Sequence, residues 1–567
     1  MIKFLGEKMS SISGFCDFIT STFHSSDEQY HTKRNGVNYI LLFSGEIFEI
    51  ENTPATQNTP TRLLDLFLQY GTRFVHKLNG NFSIVIWDDG SKRLYLFRDR
   101  LGVKNLFYTF QKSKAYFSTE LLDLVKNPAI NSPISKESLS HVLAVGPARI
   151  PGNGIYKNLH EVMAGHYNII SEYGTCDETY WDLTYTDNNE NFDEIKKNVY
   201  DLLMDSIKNQ SSSNGNACSL LSGGLDSSVV TAALNRNNIN VPTFSFEFKD
   251  NSKYFTPNDF QPNQDHIFVD IFKARYPGEH TILTCDENEL YDTLFDAMYM
   301  RSYPGMTDID ASLLFFCRKV KEMGYNIIFT GECSDELFGG YPWFYRSNLM
   351  NQNGFPWSYN CEYRFHFLSE EVIKALNLTD YFDDTYQTAL ARIDLPGDLS
   401  KEEKRRLEIS YMTQKWFMPT LLERMGKVAT ATNTTARVPF ADYKLAEYLF
   451  NVPWKYKYNN ETEKHLLRDI TKSILPDEIS TRKKSPYPKT YHPGYTALLK
   501  TKMKDILNTP SSPLLYLVDK NKVLDFMEND KNLSQPWFGQ LMAGPQLLAY
   551  YISINDWLQA FNLDLPI

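Results

Sequence analysis

Ser222-Gly223-Gly224-Leu225-Asp226-Ser227-Ser228 lies between an apolar, strand-like run, Ala217-Cys218-Ser219-Leu220-Leu221, and a helix-like run, Val229-Val230-Thr231-Ala232-Ala233-Leu234. Adjacent glycines let the backbone turn sharply and come close to an anion without Cβ clashes. The turn opens a helix, where unpaired N–H groups and the positive dipole end favour phosphate oxygens. The serine hydroxyls add donors. A carboxylate beside phosphate, Asp226, makes chemical sense if Mg²⁺ bridges the two. The lysine of a GxxxxGK[ST] cradle is missing, so this is a different nucleotide loop. Strand and helix patterns alternate downstream, which predicts an α/β domain built on a doubly wound parallel sheet with helices on both faces. From about residue 390 the pattern becomes mostly helical.

Further motifs follow in order. Thr330-Gly331-Glu332-Cys333-Ser334-Asp335-Glu336-Leu337-Phe338-Gly339-Gly340-Tyr341 comes after a second buried-strand pattern, Asn326-Ile327-Ile328-Phe329. Arg437-Val438-Pro439-Phe440-Ala441-Asp442, Glu463-Lys464-His465-Leu466-Leu467-Arg468 and Arg482-Lys483-Lys484-Ser485-Pro486-Tyr487-Pro488-Lys489 lie beyond it. The first loop resembles that of the ATP pyrophosphatases. The whole series resembles the glutamine-dependent asparagine synthetases, with the basic segment and the stretch Asp308 to Cys317 resembling one bacterial branch.

That resemblance implies ATP and Mg²⁺ as cofactors, cleavage of ATP between the α and β phosphates, and activation of a carboxylate as an acyl-adenylate. It implies that Leu220, Phe246, Thr330 and Gly331 line adenine and ribose. Ser222, Gly223, Gly224, Ser227 and Ser228 would hold pyrophosphate, and Lys483 and Lys484 would touch it as it leaves. Asp226 and Asp335 would hold the metal. Lys464 would stabilise charge at the α-phosphate or tetrahedral centre, and Glu332 would orient or deprotonate the incoming amine. Arg468 and Arg437 read equally well as structural ion-pair residues.

A polar, turn-rich stretch, Asp182 to Asn191, predicts a boundary between domains at residues 1–185 and 192–567. Upstream, Asn38–Phe43, Phe82–Trp87, Arg93–Phe97 and Lys114–Phe117 read as strands. The resemblance makes this half an α+β, glutaminase-like antiparallel sandwich of the Ntn type. Its chemistry is damaged. Ser10, in Met9-Ser10-Ser11-Ile12-Ser13-Gly14-Phe15, stands where the family has its N-terminal cysteine, and Met1 to Lys8 precede the motif. The family nucleophile needs a free α-amine as its base, and a serine hydroxyl is a far weaker nucleophile than a thiol. Ser44-Gly45-Glu46 replaces N-G-E, the R-L-S segment has no counterpart between His31 and Phe43, and Asn58 to Arg62 replaces S-D-x-E. The scaffold segments Leu78 to Phe82, Arg98 to Lys104 and Phe117 to Glu120 are kept. A start at Met9 would free an amine at Ser10 but restore neither thiol nor substrate anchors.

Composition narrows the partners. At 567 residues the chain exceeds one core. A net charge of -11 without a basic cluster argues against nucleic acid. Seven cysteines without CxxC spacing read as reduced thiols. Without a long apolar run there is no membrane span to expect, and the cytoplasm is the expected location. The family likeness implies a homodimer. The substrate pair is a carboxylate, aspartate or an analogue, with ammonia or another amine. Ammonia from solvent, ammonia from a separate glutaminase or biosynthetic partner, and an amine on a specialised metabolite, as in β-lactam synthetases and peptide cyclases, all remain open. A catalytically silent binding or regulatory subunit is the other class. The retained Asp226, Asp335, Glu332 and Lys464 favour the enzyme.

Overall fold

The computed structural model describes residues 11–55, 59–211, 215–255, 264–358, 361–529 and 536–567. Met9, Ser10 and Asn58 therefore lie outside the described residues. So do residues 256–263, which follow the short helical turn Asn251–Tyr254. Two compact units emerge: Met1–Pro133 with Ile150–Leu183, and Ile134–Arg149 with Thr184–Ile567.

The first unit is an antiparallel sandwich. Its strands are β1 (Ser13–Asp17), β2 (Thr22–His24), β3 (Tyr30–Arg34), β4 (Val37–Ile50), β5 (Thr53–Pro54), β6 (Leu78–Asp88), β7 (Arg93–Arg98), β8 (Phe107–Gln111), β9 (Lys114–Ser118), β10 (His160–Glu161), β11 (His166–Ser171) and β12 (Gly174–Thr179). One sheet runs β10-β8-β9-β1-β2 and the other β12-β11-β7-β6-β4-β3, with β5 paired to β4. Successive side chains of a strand point to opposite faces. On β6, Val85 and Trp87 accordingly join Ile12, Cys16 and Phe117 in one core, while Ile84 and Ile86 join Leu63 and Phe67 of the helix Thr59–Tyr70 in another. The β3–β4 hairpin turns on Asn35 and Gly36, both at positive φ, as a two-residue turn requires.

The kept scaffold segment is a buried polar clamp. Arg98 pairs with Glu161 at 2.5 Å and donates to the carbonyls of Lys104, Val162 and Gly102. Asp99 accepts from the backbone N–H groups of Leu101, Val103 and Lys104. These bonds hold a loop in place and need no catalytic purpose.

The second unit carries a parallel sheet of β13 (Ala217–Leu220), β14 (Thr243–Phe248), β15 (His280–Cys285), β16 (Ile327–Phe329) and β17 (Thr435–Arg437). The order is β15-β14-β13-β16-β17, and every pairing is parallel. The order reverses at β13, so the carboxyl ends of β13 and β16 flank the switch point where α/β sheets bind ligands. The mostly helical remainder of the unit follows β17 and precedes it from Ser334 onward.

The segment Ile134–Arg149 groups with the second unit. The Tyr550 hydroxyl donates to Val142 O at 2.7 Å, Ser140 Oγ donates to Leu376 O at 3.3 Å, and Arg364 donates to Ala144 O. An apolar stretch states that it is buried, not which core buries it.

Candidate active site

The loops after β13 and β16 meet backbone to backbone. Gly224 caps the helix Leu225–Arg236. Gly223 has φ of +67°, and a Cβ there would come 2.7 Å from Phe268 Cβ. A Cβ on Gly331 would lie 2.6 Å from Ser227 N and 2.7 Å from Asp226 C. Only glycine allows this approach, and it brings Asp226 and Asp335 to one place. Ser334 Oγ donates to Asp226 Oδ1 at 2.6 Å and ties the loops together. Cys333 is left-handed at φ 74°, immediately before the helix Ser334–Phe338 that presents Asp335.

Lys464 enters between the two carboxylates. Its side chain is 2% exposed, and its own φ is 53°. Nζ lies 2.8 and 2.7 Å from Asp226 Oδ1 and Oδ2 and 2.5 Å from Asp335 Oδ1. Lys484 pairs with Asp335 Oδ2. Burial alone would raise the Asp335 pKa, but the two ammonium groups bring it down to about 2. Burial likewise opposes the charge on Lys464, and the two aspartates raise its pKa in spite of it. A Cβ on Gly340 would fall 2.0 Å from Asp335 Oδ1 and 2.4 Å from Lys464 Cε.

These carboxylates fit Mg²⁺. Among the described residues no group of three or more His, Cys, Asp or Glu has metal-binding geometry. Two carboxylates facing one cation are what Mg²⁺ takes when phosphate oxygens and water complete its shell.

The cavity here has a volume of about 240 Å³. Leu220, Ser222, Gly224, Asp226, Ser227, Phe246, Thr330, Gly331, Glu332, Asp335, Lys464, Lys483 and Lys484 all line it. Phe246 is braced by Phe316, stacked at 4.2 Å. Gly223 and Ser228 are not on its wall: Gly223 backs onto Phe268, and Ser228 is fully buried. Glu332 pairs with Arg424 of the helix Met418–Ala431, and its Oε2 is buried without a hydrogen-bond partner. Arg424 belongs to no motif read from sequence. It reaches the cavity only because its helix packs against the helix Asp308–Glu322.

The basic segment is held down at its start. Arg468 donates to Glu463 Oε1 at 2.5 Å and to the carbonyls of Ser480 and Arg482. Its donors are thus spent on structure. Arg482 pairs with Asp265, donates to Ser222 O at 3.2 Å and lies over the Phe268 ring. Arg437 is buried off the cavity wall, and burial lowers its pKa to about 10.

A nucleotide loop at the switch point of a parallel sheet, with a separate amidotransferase-type sandwich, defines an ATP-dependent carbon–nitrogen ligase. Residues 198–559 match the family described as asparagine synthase, and residues 25–181 match a glutamine amidotransferase domain. The chain is 35% identical over 547 residues to glutamine-hydrolyzing asparagine synthetase 3 of Bacillus subtilis, which spans 94% of this chain and 88% of that one. It is 27% identical to amidase chyE of Penicillium rubens, spanning 89% and 84%, and 24% identical to asparagine synthetase 1 of B. subtilis, spanning 79% and 76%. The chain belongs to the asparagine synthetase family, whose members use ATP. No helix among the described residues is long and apolar enough to cross a membrane.

Proposed function

We propose that this ligase activates a carboxylate as an acyl-adenylate and passes it to ammonia or another amine, without hydrolysing glutamine itself. The observation that carries this reading is Lys464, buried and clasped by Asp226 and Asp335 on the same cavity as Glu332. The substrate carboxylate oxygen attacks the α-phosphorus and pyrophosphate departs. The amine nitrogen then attacks the acyl carbon, gives a proton to Glu332, and AMP leaves. Lys464 keeps a compact positive charge where negative charge grows, which is usually the largest catalytic contribution. Ser222, Ser227 and the Gly224 turn receive phosphate oxygens. Asp226 and Asp335 would hold Mg²⁺, which neutralises the departing pyrophosphate when bound.

The glutaminase reading is supported by Ser10 in the nucleophile position and by Ser44, buried on β4 where the family keeps an amide donor. Two fungal relatives named amidases, chyE and chry2, span 89% and 90% of this chain. They favour a carboxylate other than free aspartate as the second reading. Incubation with ATP, ammonium and a panel of amino-acid carboxylates tests both. AMP and pyrophosphate are expected, and ADP with phosphate would refute the assignment.

A further inference from the structure

Behind the cavity lies a buried ionic cluster that the chemistry above does not use. Glu423 Oε2 accepts from the Tyr303 hydroxyl at 2.7 Å and faces Arg149 at 3.3 Å and Arg301 at 3.6 Å. Arg301 also faces Asp310 at 3.4 Å and donates to the Tyr303 hydroxyl at 2.7 Å. Asp310 Oδ2 accepts from Met306 N at 2.8 Å. A Cβ on Gly305 would sit 2.2 Å from Asp310 Oδ2 and 2.6 Å from Arg301 Cδ, so this turn lies directly on the cluster.

Two residues next to the cluster reach the cavity. Met306 and Arg424 both line it, and Arg424 Nη1 lies 4.0 Å from Met306 Sδ. Glu423 and Arg424 are consecutive on one helix, so fixing the first fixes the backbone that aims the second at Glu332. Arg149 comes from elsewhere in the chain. It ends the segment Ile134–Arg149, which leaves the sandwich to join the second unit.

We propose that Arg149 is a positioning residue for amide formation: it clamps Glu423 and thereby holds Arg424, with Met306, against Glu332. The proposal rests on the reading of Glu332 as the proton acceptor. It gives the Ile134–Arg149 excursion a purpose. A buried carboxylate needs paired cations to stay charged, and Arg149 adds one to Arg301 and Lys427.

The test uses the full-length chain, with AMP release measured against ATP, ammonium and the carboxylate that best supports turnover in a panel of amino acids. Arg149→Met should lower kcat by roughly 10- to 100-fold, the scale of a small misplacement in an active site, with the KM for ATP within about twofold. Arg149→Lys, which keeps the charge and serves if the Met variant fails to fold, should fall between. In an Arg424→Met background, Arg149→Met should cost no further kcat. A purely structural Arg149 would lower melting temperature, leave kcat unchanged and show no such coupling. Wild-type kcat in either Arg149 variant, or full additivity with Arg424→Met, overturns the proposal. Glu332→Gln separates the two levels: if it keeps wild-type kcat, the reading of Glu332 fails and the proposal with it. If Glu332→Gln is inactive while Arg149→Met is not, only the proposal fails. A wild-type chain that releases no AMP with any member of the panel overturns both.

Discussion

Lys464 is locked onto Asp226, with Nζ 2.8 and 2.7 Å from its two carboxylate oxygens. The same ammonium touches Asp335. One cation therefore holds together the ends of two loops that are far apart in sequence, and it is buried.

Replacing that cation should damage turnover rather than binding. Lys464→Ala is expected to lower kcat by about 10²–10³-fold, the scale of losing one preorganised donor, with little change in the KM for ATP. Lys464→Arg should fail as well, because a planar fork does not fit a site shaped for a compact ammonium. Steady-state kinetics checks both. Near wild-type kcat with lost ATP affinity would mean that Lys464 only anchors ground-state phosphates.

The aspartates are expected to matter for metal-dependent turnover. If the two carboxylates hold Mg²⁺ as proposed, Asp226→Asn and Asp335→Asn each remove a charge from its donor set, a loss of several kcal/mol in the transition state and so of about 100-fold or more in rate. Circular dichroism should show the fold retained. Activity at wild-type magnesium concentrations in both variants would contradict the assignment.

Gly340→Ala offers a steric test of the same geometry. Its Cβ would meet Asp335 Oδ1 at 2.0 Å and Lys464 Cε at 2.4 Å. The contact must push the lysine off the aspartates, so AMP release should collapse while the far-ultraviolet spectrum stays unchanged. Full activity would show that the Lys464–Asp335 approach is not required.

Adjacent acids in this loop should respond to pH in opposite directions. Burial raises Glu336 from 4.5 to about 7, with the Asp335 charge adding to it. The folded chain then keeps a proton that the unfolded chain releases between about pH 4.5 and 7, so this group costs stability as pH rises through that window. Asp335, held at about 2 against an ordinary 3.8, contributes stability above pH 4 that is lost as pH falls toward 2. Glu336→Gln mimics the protonated acid. Its melting temperature relative to wild type should be more favourable at pH 8 than at pH 5, and a flat or reversed trend in calorimetry would refute the assignment.

Glutamine should not be hydrolysed. Ser10→Cys alone should not restore glutamate release, because on the proposed reading Ser44 stands in place of the amide donor and the glutamine anchors are absent. Losing one such donor costs about 3 kcal/mol. Glutamate above background in the wild-type chain, assayed without a partner, would overturn this reading.

Much of the site was legible because motif chemistry is local. The turn at Ser222 to Ser228 and the run Thr330 to Gly340 must be glycine-rich wherever they occur, since their backbones pass within a Cβ radius of each other. Lys464 was recognisable only beside Leu466, Leu467 and Arg468. Gly223 and Ser228 belong to the loop motif yet lie off the cavity wall, because a motif records what a loop needs to fold as well as what it touches. Arg424 was not legible: a single arginine on an amphipathic helix looks like a solvated charge until the helix is packed.

By itself the sequence determined the two kinds of unit, the strand–turn–helix nucleotide loop, and the separate motifs that carry Asp226 and Asp335, since each depends on residues close together in the chain. Only the tertiary structure decided that Lys464 bridges Asp226 and Asp335, that Arg424 faces Glu332, that Arg468 is spent on carbonyls, and that Ile134–Arg149 joins the second unit. These are pairings between buried charges and distant partners. Their energy comes from excluding water around a specific neighbour, and burial by itself does not name the neighbour.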